Sequence, residues 1–218
     1  MKLFKRMIII YVSVIMLLYL LVSSVYAISP ADEIIYEGID VSSWQGYIDY
    51  SEVKKAGIEV VYIKASEGRT LKDPYFEVNY RNAKENGLKV GFYHYLTSRN
   101  IQNAITQAEF FSSVIEGKEP DCKLAMDFES FGNLTINEIN AIGLAFMRRV
   151  EELTGKEMVI YSNTYNARTK FGGEITKYPL WLAQWQVSKP SDNGKWDTWA
   201  GWQYTSKGTI PRNRWICG

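Results

Sequence analysis

The segment "KLAMDFES", residues 123–130, carries an apolar run into Asp127, Phe128 and Glu129. In an extended strand, positions i and i+2 share a face with Cα atoms roughly 6.5–7 Å apart. Asp127 and Glu129 are therefore expected together, with Met126 and Phe128 on the opposite face. Two carboxylates that close in a cleft do not both ionise easily; one pKa rises, and that group can deliver a proton at neutral pH. Such a pair suits glycoside hydrolysis, which needs an acid for the leaving oxygen and a charged partner for an oxocarbenium-like transition state. Two other uses stand open. The acids could be solvated at a strand end, with Lys123 as ion partner, or they could ligate a cation, although the segment supplies no further oxygen ligands.

Other candidate residues lie at the ends of other apolar runs. "GIDVSSWQG" places Asp40 at a strand end, followed by Trp44 and Gln45. "FYHY" puts Tyr93 and Tyr95 on one face and His94 on the other, where a hydrogen-bonded core histidine is expected. "WLAQW" sets Trp181, Ala183 and Trp185 on a common face, with the small Ala183 leaving room beside the rings. Apolar sugar faces stack on aromatic rings, so acids flanked by Trp and Tyr read as a carbohydrate site. Taken singly, each aromatic fits a core position equally well.

The elements that must hold these residues follow from the periodicity. Strands are expected at 38–42, 60–66, 89–95, 123–129, 158–163, 180–185 and 200–205, and helices at 49–56, 74–86, 101–116 and 135–154. The last helix opens with Thr135 and Glu138 at capping-box spacing and stops at Gly155. Strands alternating with helices predict parallel βα units, in an α/β barrel that becomes irregular after about residue 157. Acids at the C-terminal ends of such strands occupy the face where barrel enzymes do their chemistry.

The N-terminus reads differently. Lys2, Lys5 and Arg6 precede the apolar run "MIIIYVSVIMLLYLLV", and "SSVYA" ends at Ala27. This is the order of a secretory signal over residues 1–27, cleaved after Ala27, with an uncleaved anchor as the alternative. Both place the domain outside the cytoplasm, secreted or at the cell surface, and only the anchor implies a membrane. Removing residues 1–27 takes away three of the 25 basic residues and none of the 24 acidic ones, leaving a formal net charge of −2. A nucleic-acid partner would need a concentrated basic surface, so none is expected, and no protein partner is implied. Two cysteines, Cys122 and Cys217, make no disulfide scaffold, and the one histidine excludes a zinc site built from several. No metal or cofactor is expected.

In their order, "GIDVSSWQG", "YIKASEG", "GFYHY", "AMDFE", "YSN", "WLAQW" and "WQYT" resemble the glycoside hydrolase family 25 lysozymes, of the N,O-diacetylmuramidase type, over residues 38–211. The resemblance implies an irregular TIM-like (β/α) barrel, preceded by a short lead-in at 28–37 and followed by an aberrant tail at 212–218. It implies cleavage of the β-1,4 bond between N-acetylmuramic acid and N-acetylglucosamine in peptidoglycan glycan strands. By motif, Glu129 resembles the proton donor, and Asp127 the partner that holds the substrate's acetamido group or the developing positive charge. Asp40 lines the same pocket, with Tyr93, Trp181, Trp185, Tyr62, Tyr161 and Gln203 as sugar-binding residues. Attack by water and assistance from the substrate's acetamido group both remain compatible with these residues. An inactive glycan-binding remnant and a glycosidase for another N-acetylhexosamine polymer such as chitin are the other readings. The run "DCKLAMDFE" lacks the longer acidic run of the common chitinases.

The family's closing strand carries a further aspartate in a segment resembling "GIDGYVD", whereas this chain ends "GTIPRNRWICG". Residues 212–218 can be encoded AGG AAT AGA TGG ATA TGT GGN. Read one base later, GGA ATA GAT GGA TAT GTG gives Gly-Ile-Asp-Gly-Tyr-Val. A single-base shift near Pro211 that replaces the final strand is the expectation.

Overall fold

The computed structural model describes residues 27–207, 209–210 and 213–214. The segment assigned to a signal therefore lies outside the described residues except for Ala27, as does most of the tail. Seven parallel strands form one curled sheet: β1 (Gly38–Val41), β2 (Val60–Glu67), β3 (Lys89–Tyr95), β4 (Leu124–Asp127), β5 (Met158–Asn163), β6 (Leu180–Ala183) and β7 (Gly201–Gln203). Each strand pairs with the next in chain order. The two residues Leu71–Lys72 fold back antiparallel on the end of β2. The helices are α1 (Tyr50–Lys55), α2 (Phe76–Glu85), α3 (Ile101–Val114), α4 (Ile136–Thr154) and α5 (Thr164–Thr169). The result is an α/β fold with a curled parallel sheet, a half-barrel.

Strand alternation divides the residues between two faces. The outer face, under the helices, is fully apolar or internally bonded: Val61, Ile63, Val90, Phe92, Met126, Ile160 and Leu182 are buried there. Phe111 of α3 and Phe146 of α4 cover it, both fully buried. Burying an aromatic or branched side chain contributes about 1.5–3 kcal/mol each, so this layer holds the sheet in its curve. His94 belongs to it, as expected, stacked at 5.1 Å on Phe146. The inner face, by contrast, carries Asp40, Tyr62, Lys64, Tyr93, Tyr95, Asp127, Tyr161, Trp181 and Gln203.

Local signals set the boundaries. Thr135 and Glu138 form the reciprocal cap that starts α4, and Gly155 ends it in the left-handed conformation at φ 65°. Two strands are shorter than their apolar runs. β4 stops at Asp127 rather than Glu129, and β6 at Ala183 rather than Trp185, because both chains turn away at the mouth of the half-barrel.

The lead-in is tied down. Ser29–Pro30 pairs in parallel with Thr198–Trp199, Ile28 is buried, and its amide donates to Pro190 O at 3.1 Å. At the other end, Thr209–Ile210 pairs antiparallel with Asn213–Arg214 and joins no strand of the main sheet among the described residues. Among those residues β7 and β1 each have a sheet neighbour on one side only. Side chains bridge the seam between them instead: Gln203 Nε2 donates to Asp40 Oδ2 at 3.1 Å, and Tyr204 Oη to Glu37 Oε2 at 2.7 Å.

Candidate active site

β4 delivers Asp127 to the mouth, and the loop that follows is anchored on both sides of Glu129. Phe128 is fully buried, edge-on to Phe131 at 4.9 Å. Ser130 is held by Arg99, whose Nη2 donates to Ser130 Oγ at 3.0 Å and whose Nη1 donates to Ser130 O. Glu129 therefore sits between a core anchor and a guanidinium clamp.

The carboxyl groups of Asp127 and Glu129 lie close enough to act directly on each other. Burial is the largest influence on Asp127 and raises its pKa well above the usual carboxylate range; the adjacent Glu129 raises it further. Lys64 acts in the opposite direction. Its Nζ is paired with Glu67 Oε2 at 2.6 Å and lies 5.4 Å from the Tyr95 ring centroid. Oδ1 of Asp127 is buried with no protein donor. Lys123, at the other end of β4, pairs with Glu157, so the ion partner considered for the two acids is engaged elsewhere.

Three tyrosines face these acids. Tyr93 is raised first by burial and then by Asp40, Asp127 and Asp73. Tyr161 is raised by burial, then by Glu129, Asp127 and Asp40. Tyr95 is raised by burial, then by Asp127 and Glu129. Their phenols remain protonated donors around a focus of three carboxylates. Tyr161 Oη donates to Gln203 Oε1 at 3.1 Å, and Trp185 Nε1 donates to the same oxygen at 3.0 Å.

The sequence-derived residues thus separate into two levels. Asp40, Tyr93, Asp127, Glu129, Tyr161, Trp185 and Gln203 converge at the mouth. Tyr62 and Trp181 lie deeper, with ring centroids 4.6 Å apart. Tyr62 Oη reaches Lys123 O at 3.1 Å, at the far end of β4 from Asp127. Trp181 is wedged between Tyr62 and Tyr161, where a Cβ on Gly201 would come within 2.7 Å of it. Trp185 stands apart from it beyond the strand, 47% exposed. The expectation that Trp181 and Trp185 share one strand face is corrected: one ring fills the interior and the other lines the rim.

The family model described as glycosyl hydrolases family 25 matches residues 39–212. The chain belongs to this family. It is 36% identical over 174 residues to an autolytic lysozyme of Clostridium acetobutylicum, covering 80% of this chain and 52% of that protein. It is 35% identical to Lysozyme M1 of Streptomyces globisporus, covering 84% and 66%. Among solved structures, a bacterial lysozyme from Streptomyces coelicolor matches with a TM-score of 0.71 at 33% identity, covering 82% of this chain and 88% of that one. A family 25 glycosyl hydrolase from Bacillus anthracis gives 0.73 at 25%, covering 89% and 91%. The chain thus spans about half to two thirds of the length of these two curated relatives.

Several mouth residues of this family 25 chain had escaped notice as part of the site. Lys64 stands two positions after Tyr62, so strand parity could have placed it inside, as it did Tyr95 two positions after Tyr93. Asp73 is buried and accepts from the amides of Ser43 at 3.0 Å and Tyr75 at 2.9 Å, fixing the turn beyond Asp40. Arg99 had no local signal.

Proposed function

We propose that this family 25 chain is a peptidoglycan hydrolase of the lysozyme type, acting outside the cytoplasm on the β-1,4 bond between N-acetylmuramic acid and N-acetylglucosamine. The observation that carries the reading is the Asp127–Glu129 pair: two neighbouring carboxyl groups at a strand end, one with a buried, unpartnered oxygen. The names of the relatives, lysozyme among them, support the substrate class. The order of residues 1–27 supports export.

In the free site burial favours the proton on Asp127. A bound N-acetyl sugar brings an amide N–H, the kind of donor that Asp127 Oδ1 lacks. A hydrogen bond to that oxygen favours the ionised form of Asp127, and the shared proton then passes to Glu129. Glu129 gives it to the glycosidic oxygen as the bond to the anomeric carbon breaks. Asp127, now charged and holding the acetamido group, stabilises the positive charge on the sugar; water then adds to the anomeric carbon and gives its proton to the Glu129 carboxylate. Asp40 adds negative charge across the seam, Tyr93 donates toward the sugar, and Tyr161, whose hydrogen is engaged by Gln203, offers its oxygen as an acceptor. Tyr62 and Trp181 serve as an aromatic floor, and the rim ring Trp185 stacks on a saccharide. The finer architecture we propose is an irregular TIM-like barrel left open between β7 and β1.

Reducing-end release from purified peptidoglycan by residues 28–218, beside a Glu129→Gln control, tests this reading. Release with muramic acid at the new ends, lost in the control by on the order of 10²–10⁴-fold, is expected. No release from a folded protein overturns it.

A further inference from the structure

Gln203, on one edge of the seam, bonds both to Asp40 on the other edge and to Trp185 at the rim. It is 6% exposed, on the last strand of the sheet, and its amide makes three hydrogen bonds. The chemistry of the partners fixes which end of the amide points where. An indole N–H is a donor only, so the atom facing Trp185 Nε1 must be the oxygen. Tyr161 Oη donates to that same oxygen. The amide nitrogen is therefore turned to Asp40 Oδ2, and Asp40 must accept there. A donor held against a carboxylate favours its charged form.

We infer that Gln203 is a positioning residue, a one-way hydrogen-bond relay across the seam that holds Asp40 Oδ2 as an acceptor and fixes it relative to the Trp185 rim. The relay spans β7 and β1, which have no backbone pairing among the described residues, and sets the width of the cleft there. The inference rests on the muramidase reading only for its consequence in catalysis; the polarity of the relay stands on the contacts themselves. Among the described residues, the titratable groups that face Asp40 and Gln203 from the neighbouring strands include Tyr93 of β3, Asp127 with Glu129 after β4, and Tyr161 of β5.

Gln203→Glu is nearly isosteric and tests the polarity. The new carboxyl keeps an acceptor for Tyr161 and Trp185 but turns its other oxygen to Asp40. At about pH 4.5 it is largely protonated and still donates; at about pH 8 two carboxylates oppose each other. Thermal melts of the parent, Gln203→Glu, and Gln203→Glu combined with Asp40→Asn across that range read this without any activity. The expected result is a deficit of Gln203→Glu that grows by several degrees as pH rises. Adding Asp40→Asn, whose amide can donate to the carboxylate, removes that pH dependence. A deficit equal at all pH values, or one unchanged by Asp40→Asn, overturns the relay.

Peptidoglycan cleavage supplies the second readout. The loss of kcat/KM in Gln203→Glu relative to the parent is expected to be about tenfold larger at the upper pH than at the lower, whereas a purely structural role predicts a uniform loss. If the parent itself releases no reducing ends, the muramidase reading fails and the melts still decide the relay. If the parent is active and the pH profile of the variant is unaltered, the positioning role fails alone.

Discussion

The carboxyl of Asp127 is buried beside that of Glu129, and burial together with Glu129 holds it well above the usual carboxylate range. This pairing has a consequence for stability. A carboxyl whose folded pKa is raised contributes fully below its unfolded value near pH 4, and that contribution is lost as pH rises toward the folded value. Asp127→Asn removes the proton requirement while keeping the shape. Its melting temperature is expected to match the parent at about pH 4 and to exceed it progressively above about pH 5. The same variant is expected to lose activity by about a hundredfold or more, since the amide cannot become the charged partner. Parallel melts and cleavage assays check both; a variant less stable than the parent at neutral pH would remove the argument for a strained pair.

His94 titrates in the opposite sense. It is fully buried, with Nδ1 at 2.8 Å from Ser66 Oγ and Nε2 at 3.1 Å from Gln107 Oε1, and burial pulls its pKa down to about 3. The amide oxygen of Gln107 can only accept, so Nε2 carries the hydrogen and Nδ1 accepts from Ser66. A folded pKa below the unfolded value near 6.5 means stability that is present above that pH and lost as pH falls toward 3. The parent is expected to lose melting temperature steadily below about pH 6, and His94→Gln to show a shallower acid slope. Equal slopes in the two proteins would assign the acid lability to other groups.

Arg99 offers a test of loop placement. Its two contacts with Ser130 hold the residue next to Glu129. Arg99 is exposed, so its removal is expected to change stability by less than about 1 kcal/mol. Glu129, the proposed proton donor, however, loses its orientation, and small displacements at reacting groups are expensive. Arg99→Ala is expected to lower kcat about tenfold with KM little changed. Arg99→Lys is expected to rescue poorly, because a single ammonium cannot reproduce the forked contact. A loss seen in KM alone would place Arg99 in substrate binding instead.

How much of this was legible follows the range of each interaction. α4 could be bounded from its cap, since Thr135 and Glu138 lie three residues apart and Gly155 ends the helix locally. Asp127 and Glu129 could be paired from strand parity even though the strand itself ends at Asp127. Trp185 was misassigned to the strand because aromatic alternation continues past Ala183, while the backbone leaves the extended path and Gln186 takes φ 60°. Local propensity carries no information about the Gln203–Asp40 bond, whose partners are 163 residues apart. Their meeting depends on the curl of the whole sheet. Arg99 and Ser130, on loops after successive strands, meet for the same reason.

Gly91 makes the packing beneath the site testable. On the inner face of β3 it leaves room for the Tyr62 ring: a Cβ there would come within 2.5 Å of Cε1 and 2.7 Å of Cδ1. Tyr62 cannot easily yield, because its hydroxyl is bonded to Lys123 O and its ring lies against Trp181. Gly91→Ala is therefore expected to destabilise the fold by about 1–3 kcal/mol, the usual effect of overpacking. Replacing Tyr62 by Leu removes the ring and its clash, so the double variant is expected to lose less than the sum of the single losses, by at least about 1 kcal/mol in a double-mutant cycle. Denaturant unfolding of the four proteins measures this directly. Strict additivity would mean that the loss comes from the backbone of β3 rather than from the ring, and that the aromatic floor is looser than its close contacts indicate.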